Sequence, residues 1–351
     1  MGELWIKNKN ENTAVRDFPK VSVIILNLNG MKLLQKTLPM LLKTNYPDME
    51  VIVVDNGSCD GSVSYLKQNC PSVTVMSLKE NVGITIGNNI GASVANGKYL
   101  AFINNDMEVD SEWLTPLVMA LEADSSIGCC DSKYLNYFER NKFDVSCGAG
   151  RFMDKFGNCL NRGGGQVDTG QFDCRQEVFH GMAIFRKDLF AKAGGYDASF
   201  FAYFDETDLC WRLHRMGYKI VYIPESIIYH MGSATSSVSS AKKKKMKKPI
   251  AFHFYKNRLR MLIKNQFGFS LIISVSGYLL DAVGLGLNFL LSGDRDYVGV
   301  LGKAVFWNLK NLGGTLQNRH NFKCVSDDFK SLFLPYSGIW IVNVKALTKR
   351  M

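Results

Sequence analysis

A chain of 351 residues, 46% hydrophobic and 21% charged, can bury one large core or a core with an appendage, so disorder is not its default state. The formal net charge is +10, but six lysines fall in one run from Lys242 to Lys248; the remainder is only mildly basic, and the charge marks a local surface. Nine cysteines without a C-x-x-C pair argue against a disulfide framework or a short-spaced zinc site and for a reducing compartment. The first twenty residues mix charges and lack the apolar stretch of a secretory signal, so the body of the chain is expected in the cytosol.

Strand-length apolar runs alternate with helical periods through the first third, the pattern of βαβ units on a parallel sheet. VSVIILNL from Val21 reads as a buried strand and Met31 to Lys43 as a helix. Glu50 to Val54 is a second strand entering DNGSCDGS, followed by a helix to about Asn69 and a short strand from Val73 to Met76. Ile84 to Ala95 is predicted helical, and KYLAFIN from Lys98 is a strand that ends at Asn104, Asn105 and Asp106. Tyr134 to Gln176 is Gly-rich and irregular, and reads as loops and short strands around a pocket. A strand, a helix from near Lys187 and a Gly-Gly stop come next; YFDETDLCWRLHRMGYKI gives a turn and a helix, and IVYIPESIIYH closes the core as strand material. The Ser- and Lys-rich stretch from Gly232 to Pro249 has no apolar period and reads as a linker that ends the catalytic unit. The expected division is an N-terminal extension over 1–19, an α/β domain over 20–236, a linker over 237–249 and a helical, membrane-associated extension over 250–351.

Ligands of open α/β sheets collect at the carboxyl ends of the strands, where both acidic clusters met so far lie. Asp55 either accepts hydrogen bonds from a ligand N–H or, with Asp60, caps the next helix. Asp106 could hold Mg²⁺ or Mn²⁺ as a hard oxygen ligand, or belong to a polar loop that caps a helix starting near Glu112. Asp205, Glu206 and Asp208 follow the aromatic stretch SFFAYF; like charges this close raise one another's pKa, which suits a general base, while helix capping is the alternative for Asp208. Arg212 and Arg215 could pair with these acids or meet a phosphate. His230 ends the last core strand, whereas His214, His253 and His320 sit in helical or basic surroundings.

The order of VSVIILNLNG, VVDNGSCDGS, ENVGITIGNNIGA, LAFINNDMEV, GMAIFRKDLFAKAGGYD, YFDETDLCWRL and H-x-G-S resembles glycosyltransferase family 2, in particular its rhamnosyltransferase-like branch, over roughly Val21 to Ser236. The resemblance implies a GT-A fold with a mostly parallel central sheet. It also implies a nucleotide-diphosphate sugar donor and a glycan or lipid-linked acceptor. By the same resemblance Asp55 reads the base, Leu28 and Asn29 line the base pocket, and Asn81, Gly83 and Asn88 lie near ribose and diphosphate, with Asn104, Asn105 and Arg212 as further donor contacts. Asp106 matches the last acid of the metal-binding D-x-D motif and His230 a histidine that completes that site; Asn104 stands where the first acid is expected. Glu206 takes the place of the catalytic base, with Asp205 as its rival. The implied reaction is a metal-assisted single displacement that inverts the anomeric carbon. A nucleotidyltransferase, or a membrane scaffold that kept the fold without the activity, are the alternatives.

FHFYKNRLRMLIKN resembles the start of the family's C-terminal helical extension, and LIISVSGYLLDAVGLGLNFLL from Leu271 is long enough to cross a bilayer. Asp281 in its middle, glycines at 277, 284 and 286, and basic residues on both sides favour interfacial or re-entrant helices. The lysine run suits an anionic lipid surface on the cytoplasmic face, and no nucleic-acid-binding motif accompanies it.

Overall fold

The computed structural model describes residues 18–232, 246–319 and 332–334. Most of the N-terminal extension, Lys242 to Lys245 of the lysine run, and His320 lie outside them. Six strands and four helices make the first half: β1 (Val21–Asn27), α1 (Met31–Leu41), β2 (Met49–Asp55), α2 (Ser62–Asn69), β3 (Val73–Ser77), α3 (Gly83–Val94), β4 (Tyr99–Asn104), β5 (Met107–Val109), α4 (Leu114–Ala123) and β6 (Ile127–Asn136). Next come β7 (Arg151–Asp154), β8 (Cys159–Asn161), β9 (Gln176–Glu177), β10 (Ile184–Arg186), α5 (Lys187–Lys192), α6 (Asp205–Arg215) and β11 (Lys219–His230). The last part is helical, α7 (Lys248–Asn265), α8 (Gly268–Leu291), α9 (Arg295–Lys310) and α10 (Leu312–Gln317), before the short β12 (Phe333–Leu334).

The main sheet runs β3-β2-β1-β4-β10-β6-β11-β5, with β9 beside β11. β3, β2, β1 and β4 are parallel, as are β6 and β11, whereas β10 is antiparallel to both its neighbours and β5 to β11. The apolar runs of β1, β2 and β4 are buried on both faces, as parallel strands covered by helices require. On one face Leu34, Leu38 and Leu41 of α1 and Leu114, Leu117 and Leu121 of α4 pack on Val23, Ile25 and Val53. On the other, Phe190, Leu209 and Leu213 cover Ile24, Val54 and Phe102. Each such aliphatic side chain contributes about 1.5–3 kcal/mol by leaving water.

Two elements depart from the sequence-based expectation. β6 is a ten-residue strand in the middle of the sheet, although its sequence IGCCDSKYLN carries three polar residues in succession. They are buried with partners: Asp131 faces Arg151 at 3.4 Å, Ser132 meets Ser226 at 2.8 Å and Lys133 binds Asp168 at 2.8 Å and also Asp173. The second departure is the domain boundary expected near Gly232 to Pro249. α7 is part of the core, for Leu259, Met261 and Leu262 join Met153, Phe179, Phe200, Phe204 and Trp211 in a third apolar cluster. Lys264 of α7 is buried against Asp208 at 2.8 Å and Asp197 at 2.7 Å.

Candidate active site

The sheet's register brings the polar residues together before any side chain is considered. Asn27 pairs with Asp55 across β1 and β2, and Leu26 with Asn104 across β1 and β4, so the chain leaves three adjacent strands at one edge. There a cleft of about 820 Å³ opens, walled by Leu28, Asn29, Asn81, Gly83, Asn104, Asn105 and Asp106, all expected, and by Lys32, Asn56 and His253, which were not. Asp55 is not on the wall. Its carboxylate sits buried behind Asn27, accepting from Asn27 Nδ2 at 3.0 Å and from the Ser58 N–H at 2.9 Å. Asn27 in turn accepts from Asn105 Nδ2 at 2.9 Å, so the buried Asn27 ties the two strand ends into one unit. Asp60 has the capping role, accepting the Met31 and Ser62 N–H groups at 2.8 and 3.1 Å.

At the cleft's far end Asp106 meets His230. β11 lies antiparallel to β5 with His230 opposite Met107, and the Met231 N–H donates to the Asp106 carbonyl at 3.0 Å. This frame places His230 Nε2 3.5 Å from Asp106 Oδ2 and His230 Nδ1 3.1 Å from Asp144 Oδ2. Burial alone would lower the imidazole pKa, but Asp106, Asp144 and the Cys147 thiol outweigh it and raise it well above its ordinary value. An imidazole nitrogen and a hard carboxylate oxygen are a donor set that fits a divalent cation, which Asp106 and His230 would hold. Asp144, Cys147 and His230 also bring a ligand atom each within 4.8 Å of one another.

The acid pair at the start of α6 follows Ala202 and Tyr203, which wall the cleft, but neither acid lines it. The segment before the pair is strained: Phe201, Tyr203 and Phe204 have φ of 66°, 70° and 64°, unusual for bulky side chains. Two contacts hold it. The Phe201 carbonyl accepts the Ile84 N–H at 2.6 Å, an approach that a side chain at Gly83 would block, since a Cβ there would fall 2.8 Å from that oxygen. From the other side the buried Asn257 of α7 donates Nδ2 to the carbonyls of Phe200, Ala202 and Tyr203 at 2.8, 2.6 and 2.9 Å. Asp205, delivered by this loop, is buried with no hydrogen-bond partner for Oδ2. Burial and then the neighbouring Glu206 push its carboxyl well above the ordinary range. Glu206 is only half-buried.

Two expected donor contacts are corrected. Arg212 is enclosed beneath α6, where its guanidinium binds Asp208 at 2.8 and 3.0 Å and the Ala193 carbonyl, so it serves the core and is not available to a phosphate. Asn88 faces inward on α3 and does not line the cleft, because that face of the helix packs on the sheet. Asp208, tied to Arg212 and Lys264, belongs to the same buried network, and Arg215 stacks its guanidinium 4.2 Å over the Phe267 ring. His214 gives its Nε2 a 2.8 Å contact with the Phe179 carbonyl and is pushed down by burial to about 4, a structural histidine. Asn27, Asn56 and Asp144 escaped the sequence reading because amides and a lone acid in Gly-rich loops carry no spacing signal. Lys32 was legible as a cation one residue into the first helix after β1.

Known proteins resemble this chain in sequence and fold. Residues 22–194 match the family model for glycosyl transferase family 2. The chain is 28% identical over 231 residues to the O-antigen biosynthesis protein RfbC of Myxococcus xanthus, covering 63% of this chain and 18% of RfbC. It is 33% identical over 119 residues to the uncharacterised glycosyltransferase YibD of Escherichia coli K12, covering 33% of this chain and 34% of YibD. It thus spans about a third or less of these relatives. In fold, GalNAc-T7 solved with UDP, GalNAc and Mn²⁺ superposes with a TM-score of 0.56 at 17% identity, over 71% of this chain and 48% of that one. The sheet is that of the GT-A fold, and the region from Ser22 to Gly194 matches glycosyltransferase family 2.

Proposed function

We propose that the protein transfers a sugar from a nucleoside-diphosphate sugar to a hydroxyl of a glycan or lipid-linked acceptor at the cytoplasmic face of a membrane, with inversion. The observation that carries this reading is the meeting, at one sheet edge, of a polar cleft with the Asp106–His230 pair, 3.5 Å apart. Asn29 and Asn81 offer amides to a base and ribose, with the buried Asn56 tying Asn81, Val82 and Gly83 in place, and Lys32 offers a cation to a diphosphate. Asp106 and His230 would hold Mg²⁺ or Mn²⁺, which when bound neutralises charge on a departing diphosphate. Asn104 offers a neutral oxygen where a second acid is common, so the site leans on the donor's own phosphate oxygens. Glu206, near solvent and beside the buried Asp205, takes the proton from the acceptor hydroxyl as that oxygen attacks the anomeric carbon from the face opposite the leaving group. One base and one displacement give inversion.

Membrane association is part of the reading. α8 is 24 residues long and apolar enough to cross a bilayer by length and composition. Ser274, Tyr278 and Asp281 along one side are buried, with Asp281 paired to Arg258 at 2.7 Å, and Gly277 leaves room for the Phe156 ring. Ile272, Leu280, Val283, Leu287 and Leu291 on the other side are exposed, as are Phe306 and Leu309 of α9. A helix fastened to the core along its length rests its apolar side in the interface rather than spanning.

The test is transfer and hydrolysis with a panel of nucleotide sugars, with Mn²⁺ or Mg²⁺ and with a chelator. The expected result is release of one nucleoside diphosphate only when metal is present. Absence of turnover with every donor, in protein shown to be folded, would overturn the reading.

A further inference from the structure

We propose that Asp144 is a positioning residue for the cation centre, fixing which nitrogen of His230 faces Asp106. The inference rests on the reading of Asp106 and His230 as cation ligands. A neutral imidazole has one lone pair, so it can ligate through Nε2 only when the proton is on Nδ1, and an acceptor at Nδ1 selects that tautomer.

The structure supplies such an acceptor and holds it firmly. Asp144 leaves β6 in a loop that returns beside the strand: its N–H donates to the Tyr134 carbonyl at 2.9 Å and the Tyr134 N–H to the Gly148 carbonyl at 3.0 Å. Asp144 Oδ1 accepts the N–H groups of Ser146 and Cys147 at 2.8 and 2.9 Å. With one oxygen pinned, the other lies 3.1 Å from His230 Nδ1, on the side of the ring away from Asp106. All three of Asp144, Cys147 and His230 are buried, so water does not compete for Nδ1. His230 Nδ1 makes no hydrogen bond among the described residues, and a small turn of the ring converts its 3.1 Å approach to Asp144 into one, which leaves the Nε2 lone pair facing Asp106.

Asp144→Asn separates this role from a structural one. The amide oxygen still accepts from Ser146 and Cys147, so the loop is kept, but an NH₂ group now faces Nδ1 and selects the opposite tautomer. In the full chain, Mn²⁺ binding in the presence of UDP, and separately GDP, is followed by the electron paramagnetic resonance of free Mn²⁺. D144N should weaken Mn²⁺ by about 10- to 100-fold, the usual effect of losing an outer partner of a ligating histidine, with thermal stability and metal-free nucleotide binding unchanged. Nitrogen-15 spectra of histidine-labelled protein with Mg²⁺ and nucleotide should show His230 protonated on Nδ1 in the wild type, a measurement that needs no variant. D144N binding Mn²⁺ within twofold of wild type while His230→Ala loses it overturns the role of Asp144 and leaves the cation site standing. If Asp106→Ala and His230→Ala both bind Mn²⁺ as wild type does, the cation reading itself has failed. Zn²⁺ binding that depends on Cys147 and not on Asp106 would place an ion on the Asp144 side of the ring and also overturn the proposal.

Discussion

Two neighbouring carboxyls, Asp205 and Glu206, differ in surroundings more than in sequence. Asp205 is enclosed, with its carboxyl pKa pushed up by burial and by Glu206, whereas Glu206 has access to solvent. Glu206→Gln should lower kcat by about 10²–10⁴-fold with little change in donor affinity, and Asp106→Ala should remove the response to Mn²⁺; steady-state kinetics across a metal titration distinguishes the two. Asp205 leaves a mark on stability as well. Its pKa is higher folded than unfolded, so the native state binds more protons and stability declines as pH rises above the ordinary carboxyl value of 3.8. Asp205→Asn should flatten that decline in urea unfolding curves measured from pH 4 to pH 8. At this scale the sequence showed which residue types could do chemistry but not which were buried: it named the acid pair and Asp106–His230, and it also named Arg212, whose charge the fold spends on Asp208.

The elements that matter most are α7 and the loop it holds. Three left-handed residues in a four-residue span persist because Asn257 satisfies three consecutive-turn carbonyls from outside. Asn257→Ala strands those buried acceptors, at about 1–3 kcal/mol each for any that find no water, and should lower kcat more than it raises the donor KM, since the loop ends in the acid pair. Chemical denaturation and kinetics on one preparation check both effects. Asp281→Ala leaves Arg258 buried without its carboxylate and should cost about 3–5 kcal/mol in the same unfolding assay. The βα alternation of the first hundred residues was legible because β1, β2 and β4 carry unbroken apolar runs (VIIL, VIVV and YLAFI). β6 was not, because a strand whose polar residues find partners elsewhere in the chain carries no local apolar signal. Nor was the membership of α7 in the core, since its interior contacts run through Lys256, Asn257, Arg258, Arg260 and Lys264, residues that read as surface.

On the scale of the whole molecule, the exposed apolar side of α8 and α9 stands apart from the catalytic edge but is bound to it through α7. The protein should float with vesicles containing anionic lipid and bind neutral ones less, and Leu280→Glu combined with Leu287→Glu should abolish flotation while leaving donor hydrolysis in detergent intact. Retention of flotation in the double variant would count against this face.

The family match ends at residue 194, yet the acid pair, His230 and the wall formed by Pro249, Ile250 and His253 all come after it. Phe201 makes the point in miniature, for its carbonyl grips Ile84 and its ring stacks on His253 with centroids 4.9 Å apart, joining three stretches far separated in the chain. For protein engineering this means that the last third is not a detachable anchor. A chimera that borrows it from a relative would also exchange Pro249, Ile250 and His253 of the cleft wall, and under the proposed function any sugar preference set there would travel with the graft.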